Sequence, residues 1–491
     1  MQETHHRESA NNKILAGPQS GKAVRHSLLI LFILCCAQFT VALDLSIVNV
    51  ALPSIQHDLG FSTQNLQWVV SAYSLMFGGL LLLGGKVGDM FGRRPFFLSG
   101  ALIFALASLL GGFAPSQIWL IGTRTLQGVG AAFLSPNALA LITTTFEEGP
   151  SRNKALGIVG TVMSSGVVMG NIFGGLLTAG PGWRWVFFIN VPILIGMSLF
   201  ALMILPSTAR QTRRRSVDVP GALTITISLV TFVFVLTEGR TIGWMSIQLL
   251  GLLALALMLL IAFVLIELRM KEPLLRFALF RLRPLAAANL ISLLAPGTYG
   301  AMLFFLTLYM QEVLQYSALR TGVALIPLEF ALGLMVNLVP RLITRVGVKS
   351  VLMVAMIVMI GGLLLLLRIT PEENYPATVL PALIVVGLGI GALFNAIGIA
   401  ATSGVPHEEQ GVAVGLMSTT QQLGNGLVLA IMVSISQAYT ASVGAQGSEM
   451  NNIALVEGFH IAFLTAAGVM VIALLTTFLV IGQRDRTTIV P

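Results

Sequence analysis

Gly84-Gly85-Lys86-Val87-Gly88-Asp89-Met90-Phe91-Gly92-Arg93-Arg94-Pro95 is the stretch on which the reading of this chain turns. It is short, charged and glycine-rich, and it lies between two long apolar runs, 68–83 and 96–113. So short a connection predicts a tight turn at the tip of an antiparallel helical hairpin, placed where basic residues are tolerated. Gly92 permits a backbone turn closed to other residues. Asp89, at the end of one helix, is placed to meet the arginines or the positive N-terminus of a neighbouring helix. Taken alone, the stretch also fits a plain solvated loop with interfacial charges, so the rest of the chain has to decide.

Composition puts the chain in lipid. Of 491 residues 56% are hydrophobic and only 10% charged, with a mean hydropathy of +0.89; a soluble domain carries about 25% charged residues. The net charge of +8 does not indicate nucleic acid, because the basic residues fall in short clusters between apolar runs, as in loops facing an anionic leaflet. The two cysteines, Cys35 and Cys36, are adjacent in an apolar run. Neighbours on a helix point about 100° apart and cannot form an ordinary disulfide with each other. No CxxC, His-rich or HExxH pattern suggests a metal, no Walker A sequence a nucleotide engine, and no Ser/His/Asp set catalysis. The expectation is therefore no metal, no cofactor and no enzyme.

A membrane helix needs about 20 apolar residues. Runs of that kind lie near 27–50, 66–84, 96–114, 117–142, 154–178, 184–205, 219–237, 246–266, 285–309, 321–340, 350–367, 378–401, 411–436 and 459–482, fourteen in all. The first run outlasts a signal peptide's apolar core and reads as an uncleaved span. The N-terminal tail and alternate loops carry Lys86, Arg93, Arg94, Arg152, Lys154, the basic linker 210–215, Arg269 to Arg283, Arg341, Arg345, Lys349, Arg484 and Arg486. The other loops carry only Arg184, Arg240, Arg320 and Arg368. Basic loops stay inside, so both termini are read as cytoplasmic, with the chain in the cell's inner (cytoplasmic) membrane; the inner loop 402–410, with Glu408 and Glu409, is the weak point.

Pro340-Arg341-Leu342-Ile343-Thr344-Arg345-Val346-Gly347-Val348-Lys349 is a worn copy of the opening stretch, with Thr344 where Asp89 stands. The chain thus reads as an all-α membrane protein of two six-helix bundles with an inserted helix pair. Its segments are a disordered cytoplasmic tail (1–25), an N-terminal bundle (26–205), a basic linker with two extra helices (206–284), a C-terminal bundle (285–482) and a second tail (483–491). Parallel halves of this kind are a transporter pattern, with the site at their interface.

Ionisable residues inside spans are functional candidates, since a charge at mid-bilayer costs at least ~2.5–3.5 kcal/mol on insertion scales. Asp44, Arg124 and Glu329 stand out. At 1.5 Å per residue all three fall roughly 10–14 Å below the outer ends of their helices. Burial favours the neutral form of a carboxyl and a nearby arginine the charged form, so a shifting partner can load and unload a proton on Asp44. A static Asp–Arg pair holding two helices is the plain alternative. Arginine does not realistically deprotonate, so Arg124 tunes or gates a partner. Glu329 lines the cavity and favours cations, or is a second protonation site, or bonds a neighbouring polar side chain. Gly166, Gly170 and Gly174 form one smooth helical face that admits a close neighbour. Asn395, Gln421, Gln422 and Asn425 line the cavity or bond between helices, the latter worth about 0.6 kcal/mol each.

Several of these stretches resemble the major facilitator superfamily. Gly85, Asp89, Gly92, Arg93 and Arg94 match its signature G-x-L-x-D-R-x-G-R-K, with Val87 and Met90 departing from it. Leu43-Asp44-Leu45-Ser46-Ile47-Val48-Asn49-Val50-Ala51-Leu52-Pro53 is similar to L-D-x-T-I-V-N-V-A-L-P of the fourteen-helix drug/proton antiporter branch, with Ser46 for Thr. Leu120 to Ala132 matches the helix-4 pattern l-x-x-x-R-x-x-q-G-x-g-a-a. Gly166-x-x-x-Gly170-Asn171-x-x-Gly174-Gly175 resembles g-x-x-x-G-P-x-x-G-G, with Asn171 where proline is usual, which puts the expected kink in doubt. Trp183-Arg184-Trp185-Val186-Phe187-Phe188-Ile189-Asn190-Val191-Pro192, Asp218-x-x-Gly221, and Tyr309-Met310-Gln311 with Leu325-Ile326-Pro327 extend the likeness. The resemblance implies a multidrug efflux transporter, with Asp44 in proton coupling, Arg124 its modulator, residues 85–94 a cytoplasmic gate and the helix-5 glycines either plain packing or a control on direction. Small molecules, protons and the lipid bilayer are then its partners, and it acts as a monomer. A dedicated exporter of one natural product, or a non-transporting receptor on the same scaffold, are the alternatives.

Overall fold

The structure, a computed structural model, describes residues 21–205, 218–270, 273–275, 282–372, 374–405, 410–443 and 451–480. The described residues form helices and no strand. Among the described residues, fourteen spans are long and apolar enough to cross a membrane. In chain order their helices are α1 (Gly21–Leu59), α2 (Trp68–Phe91), α3 (Arg93–Gly112), α4 (Gln117–Thr145), α5 (Pro150–Ala179), α6 (Asn190–Ile204), α7 (Val219–Ile242), α8 (Ile247–Arg269), α9 (Arg283–Leu308), α10 (Ile326–Val346), α11 (Val348–Leu365), α12 (Val379–Thr402), α13 (Gln410–Val443) and α14 (Asn451–Val480). Most of the terminal tails, much of the basic linker before α7 and the Glu408–Glu409 loop lie outside the described residues; α1 begins at Gly21, inside the stretch read as tail.

The charged stretch is not the turn that its composition suggests. α2 runs through it as far as Phe91, and α3 starts at Arg93, so the reversal falls on Gly92 alone, at φ +108°. Gly84 and Gly88 serve packing, since a Cβ on either would strike Ala132 or Asn137 of α4. The Asn137 side-chain amide fills that contact by donating to Gly84 O at 3.0 Å. The worn copy folds the same way: α10 ends at Val346, Gly347 turns at φ +83°, and α11 begins at Val348.

Four segments start at the opposite end of the molecule with a serine cap. Ser62, Ser116, Ser246 and Ser317 each accept a hydrogen bond from the backbone N–H three residues on, which satisfies one of the orphan donors of a helix start. Asp218 does the same for α7, its Oδ1 accepting from Gly221 N–H at 2.8 Å. Its Asp-x-x-Gly pattern is thus explained as a cap.

Helices α1–α6 and α9–α14 form the two bundles, with α2 lying along α13 where they meet. The inserted hairpin packs α8 on α7, and α7 on both α2 and α13. Gln67 Nε2 donates to Thr237 Oγ1 of α7 at 3.0 Å, and Ser434 Oγ to Leu236 O at 2.6 Å. α8 turns Leu257, Met258, Ile261 and Leu268 outward, as suits a helix facing lipid.

Candidate functional site

Asp44 is fully buried and Arg124 is 1% exposed. Arg124 Nη1 donates to Asp44 Oδ2 at 2.6 Å. Asp44 Oδ1 accepts from Asn190 Nδ2 at 2.9 Å and from Gln127 Nε2 at 3.3 Å. The arginine is itself held, Nε donating to Val69 O at 2.7 Å and Nη1 to Gln127 Oε1 at 2.8 Å, with its guanidinium 4.4 Å from the centre of the Tyr73 ring. Gln127 also donates to Ser108 Oγ at 2.8 Å. Residues of α1, α2, α3, α4 and α6 therefore meet at one buried charge pair. Such a pair is weak evidence for stability, because desolvation offsets its attraction, but removing one partner strands the other charge at about 3–5 kcal/mol.

The depth inferred for Asp44 needs correction. α1 does not end near Pro53 but carries that proline inside it and continues to Leu59. Asp44 therefore lies roughly 22 Å from the end of its helix at 1.5 Å per residue. It still meets Arg124, which is about 10 Å into α4, because α1 overhangs its neighbours.

Glu329 forms a second centre, in the other bundle. Its Oε1 accepts from Tyr299 OH of α9 at 3.0 Å and from Asn171 Nδ2 of α5 at 3.2 Å. Asn171, 1% exposed, thus bridges the two bundles. α5 is continuous from Pro150 to Ala179, so no break occurs where proline would have stood.

The glycine face of α5 packs against α1 in register. A Cβ on Gly166, Gly170 or Gly174 would come within 2.9, 2.8 or 2.7 Å of the carbonyl oxygens of Phe39, Leu43 and Ile47. Ser46 Oγ donates across the same contact to Val167 O at 3.0 Å. Gly175 faces the other bundle, where a Cβ would stand 2.8 Å from Ala318 O and Leu319 Cα.

At the Gly92 turn, Asp89 accepts from Arg93 Nη2 and Nε, each at 2.8 Å, while Arg93 Nη1 donates to Ala140 O of α4 at 2.7 Å. Arg94 Nη2 donates to Leu202 O of α6 at 2.5 Å. Gly85 is open enough that its nearest neighbour to a Cβ is Pro136, at 3.6 Å. In the copy, Thr344 turns back on Arg341 O at 2.8 Å, so no ion pair replaces Asp89–Arg93 there.

The polar residues of the late helices are less drawn together. Asn395 Nδ2 donates to its own helix, at Gly391 O, 2.9 Å away. Asn425 Nδ2 donates to Gln422 Oε1 at 2.9 Å, and Gln422 packs against Gly78 of α2. Gln421 is half-buried beside them. Tyr299 links this region to Glu329, its ring meeting Phe394 edge-on at 6.4 Å.

The sequence matches the Major Facilitator Superfamily over residues 34–429. The chain belongs to that superfamily. Among its relatives, the puromycin resistance protein pur8 of Streptomyces alboniger is 38% identical over 463 residues, covering 93% of this chain and 92% of that protein. The cephamycin export protein CmcT of Amycolatopsis lactamdurans is 37% identical over 421 residues, 85% of this chain and 86% of that one. In fold it resembles the crystal structure of a bacterial homologue of the human lysosomal transporter Spinster, with a TM-score of 0.65 at 16% identity over 94% of this chain and 98% of the other.

This superfamily member is a multi-pass membrane transporter and not an enzyme. The sequence reading missed the amides that complete the Asp44 site. Gln127 stood in the helix-4 pattern, three residues after Arg124 and so on the same helical face. Asn190 stood in the 183–192 stretch. An uncharged amide in a span does not stand out as a lone charge does, and the position of each in a superfamily pattern was the signal that could have found it. Tyr299 carried no such signal.

Proposed function

We propose that this chain is a proton-coupled antiporter that exports amphipathic, cationic drugs or related toxic small molecules across the cytoplasmic membrane, as a monomer with both termini in the cytoplasm. The observation that carries the reading is the Asp44–Arg124 pair, buried among residues of five helices. Asp44 is the proton carrier. Gln127 Oε1 already shares Arg124 Nη1 with Asp44, so the arginine can lean toward the amide while the carboxyl takes up a proton and return when it leaves. The Gly92 turn, with Asp89, Arg93 and Arg94, is the cytoplasmic latch, an orientation supported by the basic residues gathered at that end. Glu329 faces the cavity and favours cations. Export as the direction is supported by the names of the relatives, puromycin resistance and cephamycin export proteins.

A second reading, a dedicated exporter of one natural product, is favoured by relatives named as export proteins for single compounds, cephamycin and tetracenomycin C. A non-transporting receptor would have no need of an intact Asp44–Arg124 pair. The test is efflux from a sensitive host and from inside-out vesicles across a panel of cationic and neutral compounds, with and without a pH gradient. Many cations moved with the gradient intact and none after its collapse is the expected result. Movement of one compound only would establish the second reading, and gradient-independent movement would remove proton coupling.

A further inference from the structure

The end of the molecule opposite the Gly92 turn is shut by a seam between the bundles. Gly175 of α5 lies against the backbone of Ala318 and Leu319, and Gly322 lies against the backbone of Asn171. Gln311 Nε2 reaches across to Val50 O of α1 at 2.8 Å. Glycine-on-backbone contact of this kind gives dispersion but little that a ligand can address. Asn171 differs. Its amide sends a hydrogen bond through the seam to a carboxylate that also accepts from Tyr299 of its own bundle.

We infer that the Asn171–Glu329 hydrogen bond is the releasable clasp of this seam, and that a cationic group binding Glu329 releases it. The second clause rests on the cation reading of Glu329 given above; the first does not. Oε1 of Glu329 already serves two neutral donors, Tyr299 OH from its own bundle and Asn171 Nδ2 from the other. A cation approaching the carboxylate attracts it by charge, a contact that needs no hydrogen-bond donor and is stronger in the protein interior than in water. It pulls the carboxylate from Asn171 across the seam, whereas Tyr299 belongs to the same bundle as Glu329 and can move with it. The ligand then has different affinity for the closed and the parted seam, which is what a ligand needs in order to shift that equilibrium. Proline, usual at this position, has no side-chain donor and could not form such a clasp. The departure at Asn171 thus gives this chain a way to open its exit when a cation is aboard.

The experiment measures spin-label distances between Pro115→Cys and Glu372→Cys, exposed sites at that end on opposite bundles, in the full chain in lipid nanodiscs with Cys35 and Cys36 changed to alanine. Tetraphenylphosphonium is the probe cation. Wild type is expected closed without the probe and shifted toward the long distance with it. Asn171→Ala should raise the long-distance population about threefold without any probe, from a lost interhelical hydrogen bond of about 0.6 kcal/mol. Asn171→Ser provides the same reading should the alanine variant fold poorly. Glu329→Gln keeps a neutral acceptor for Asn171 and should stay closed with or without the probe. Unchanged distances in both Asn171 variants would overturn the clasp. A wild type that does not open with bound probe, or a Glu329→Gln protein that still opens, would overturn the release step; equal probe affinity in wild type and Glu329→Gln would overturn the cation reading; the Asn171 result stands by itself in each case.

Discussion

Arg124 touches Asp44 through a single nitrogen, Nη1, and that same nitrogen donates to Gln127 Oε1 at 2.8 Å. The arginine therefore has a second acceptor in reach without leaving its anchor at Val69 O.

Asp44→Asn should abolish efflux driven by a pH gradient while substrate binding survives, because an amide keeps the shape but cycles no proton. It should also lower thermal stability, since the stranded arginine costs up to about 3–5 kcal/mol. Adding Arg124→Gln should restore much of the melting temperature and none of the transport. Vesicle efflux and thermal melts of the two variants check this; wild-type rates in the single variant would remove Asp44 from the coupling role.

Asp89→Asn is expected to slow turnover and leave the compound spectrum unchanged. The Asp89–Arg93 pair is exposed at the turn, so its loss costs less than about 1 kcal/mol of stability, and Arg93 keeps its bond to Ala140 O. What changes is the balance between conformations. Initial efflux rates across several compounds provide the measurement, and an altered ranking would place Asp89 in the binding site instead.

Glu329→Gln separates the three roles considered for that residue. A buried carboxylate at about 4 Å attracts a cation with ~4 kcal/mol at an effective dielectric near 20, and even a third of that is about tenfold in affinity. Efflux of quaternary cations should fall by that order, with neutral compounds spared. Equal losses for both classes would point to a second proton site. Unchanged ranking with poorer expression would make the residue structural.

Gly170→Val should cost about 1–3 kcal/mol through overpacking, because its side chain would be driven into Leu43 O and Ser46, beside Asp44. Gly157→Ala, on the same helix with nothing within 4 Å of its Cβ, should be silent in both melting temperature and transport. A tolerant Gly170 would mean that α1 and α5 separate more readily than their register suggests.

Lone charges in apolar runs were legible from the sequence because their insertion cost makes accident improbable, and Asp44 and Arg124 do meet. Span number was legible for the same reason, since lipid demands long apolar helices. Helix ends were not. Glycines and charges at 84–91 resemble a turn, yet a helix that leaves the bilayer has no reason to stop at its surface, and glycine there admits α4. Partners were harder still. Nothing in residues 166–175 says that the amide of Asn171 crosses to Glu329, because that depends on how two bundles lean together.

The hydrogen bonds of α7 to Gln67 on one side and Leu236 O to Ser434 on the other give the inserted pair a mechanical meaning. A strut fastened to two moving bodies survives their motion only near the axis about which they turn. The inserted pair is fastened at the α2–α13 flank, across the interface from the α5–α10 flank that carries the Asn171–Glu329 bond. Unequal opening is the expected outcome: spin-label distances across the α5–α10 flank should change more during transport than those across the α2–α13 flank.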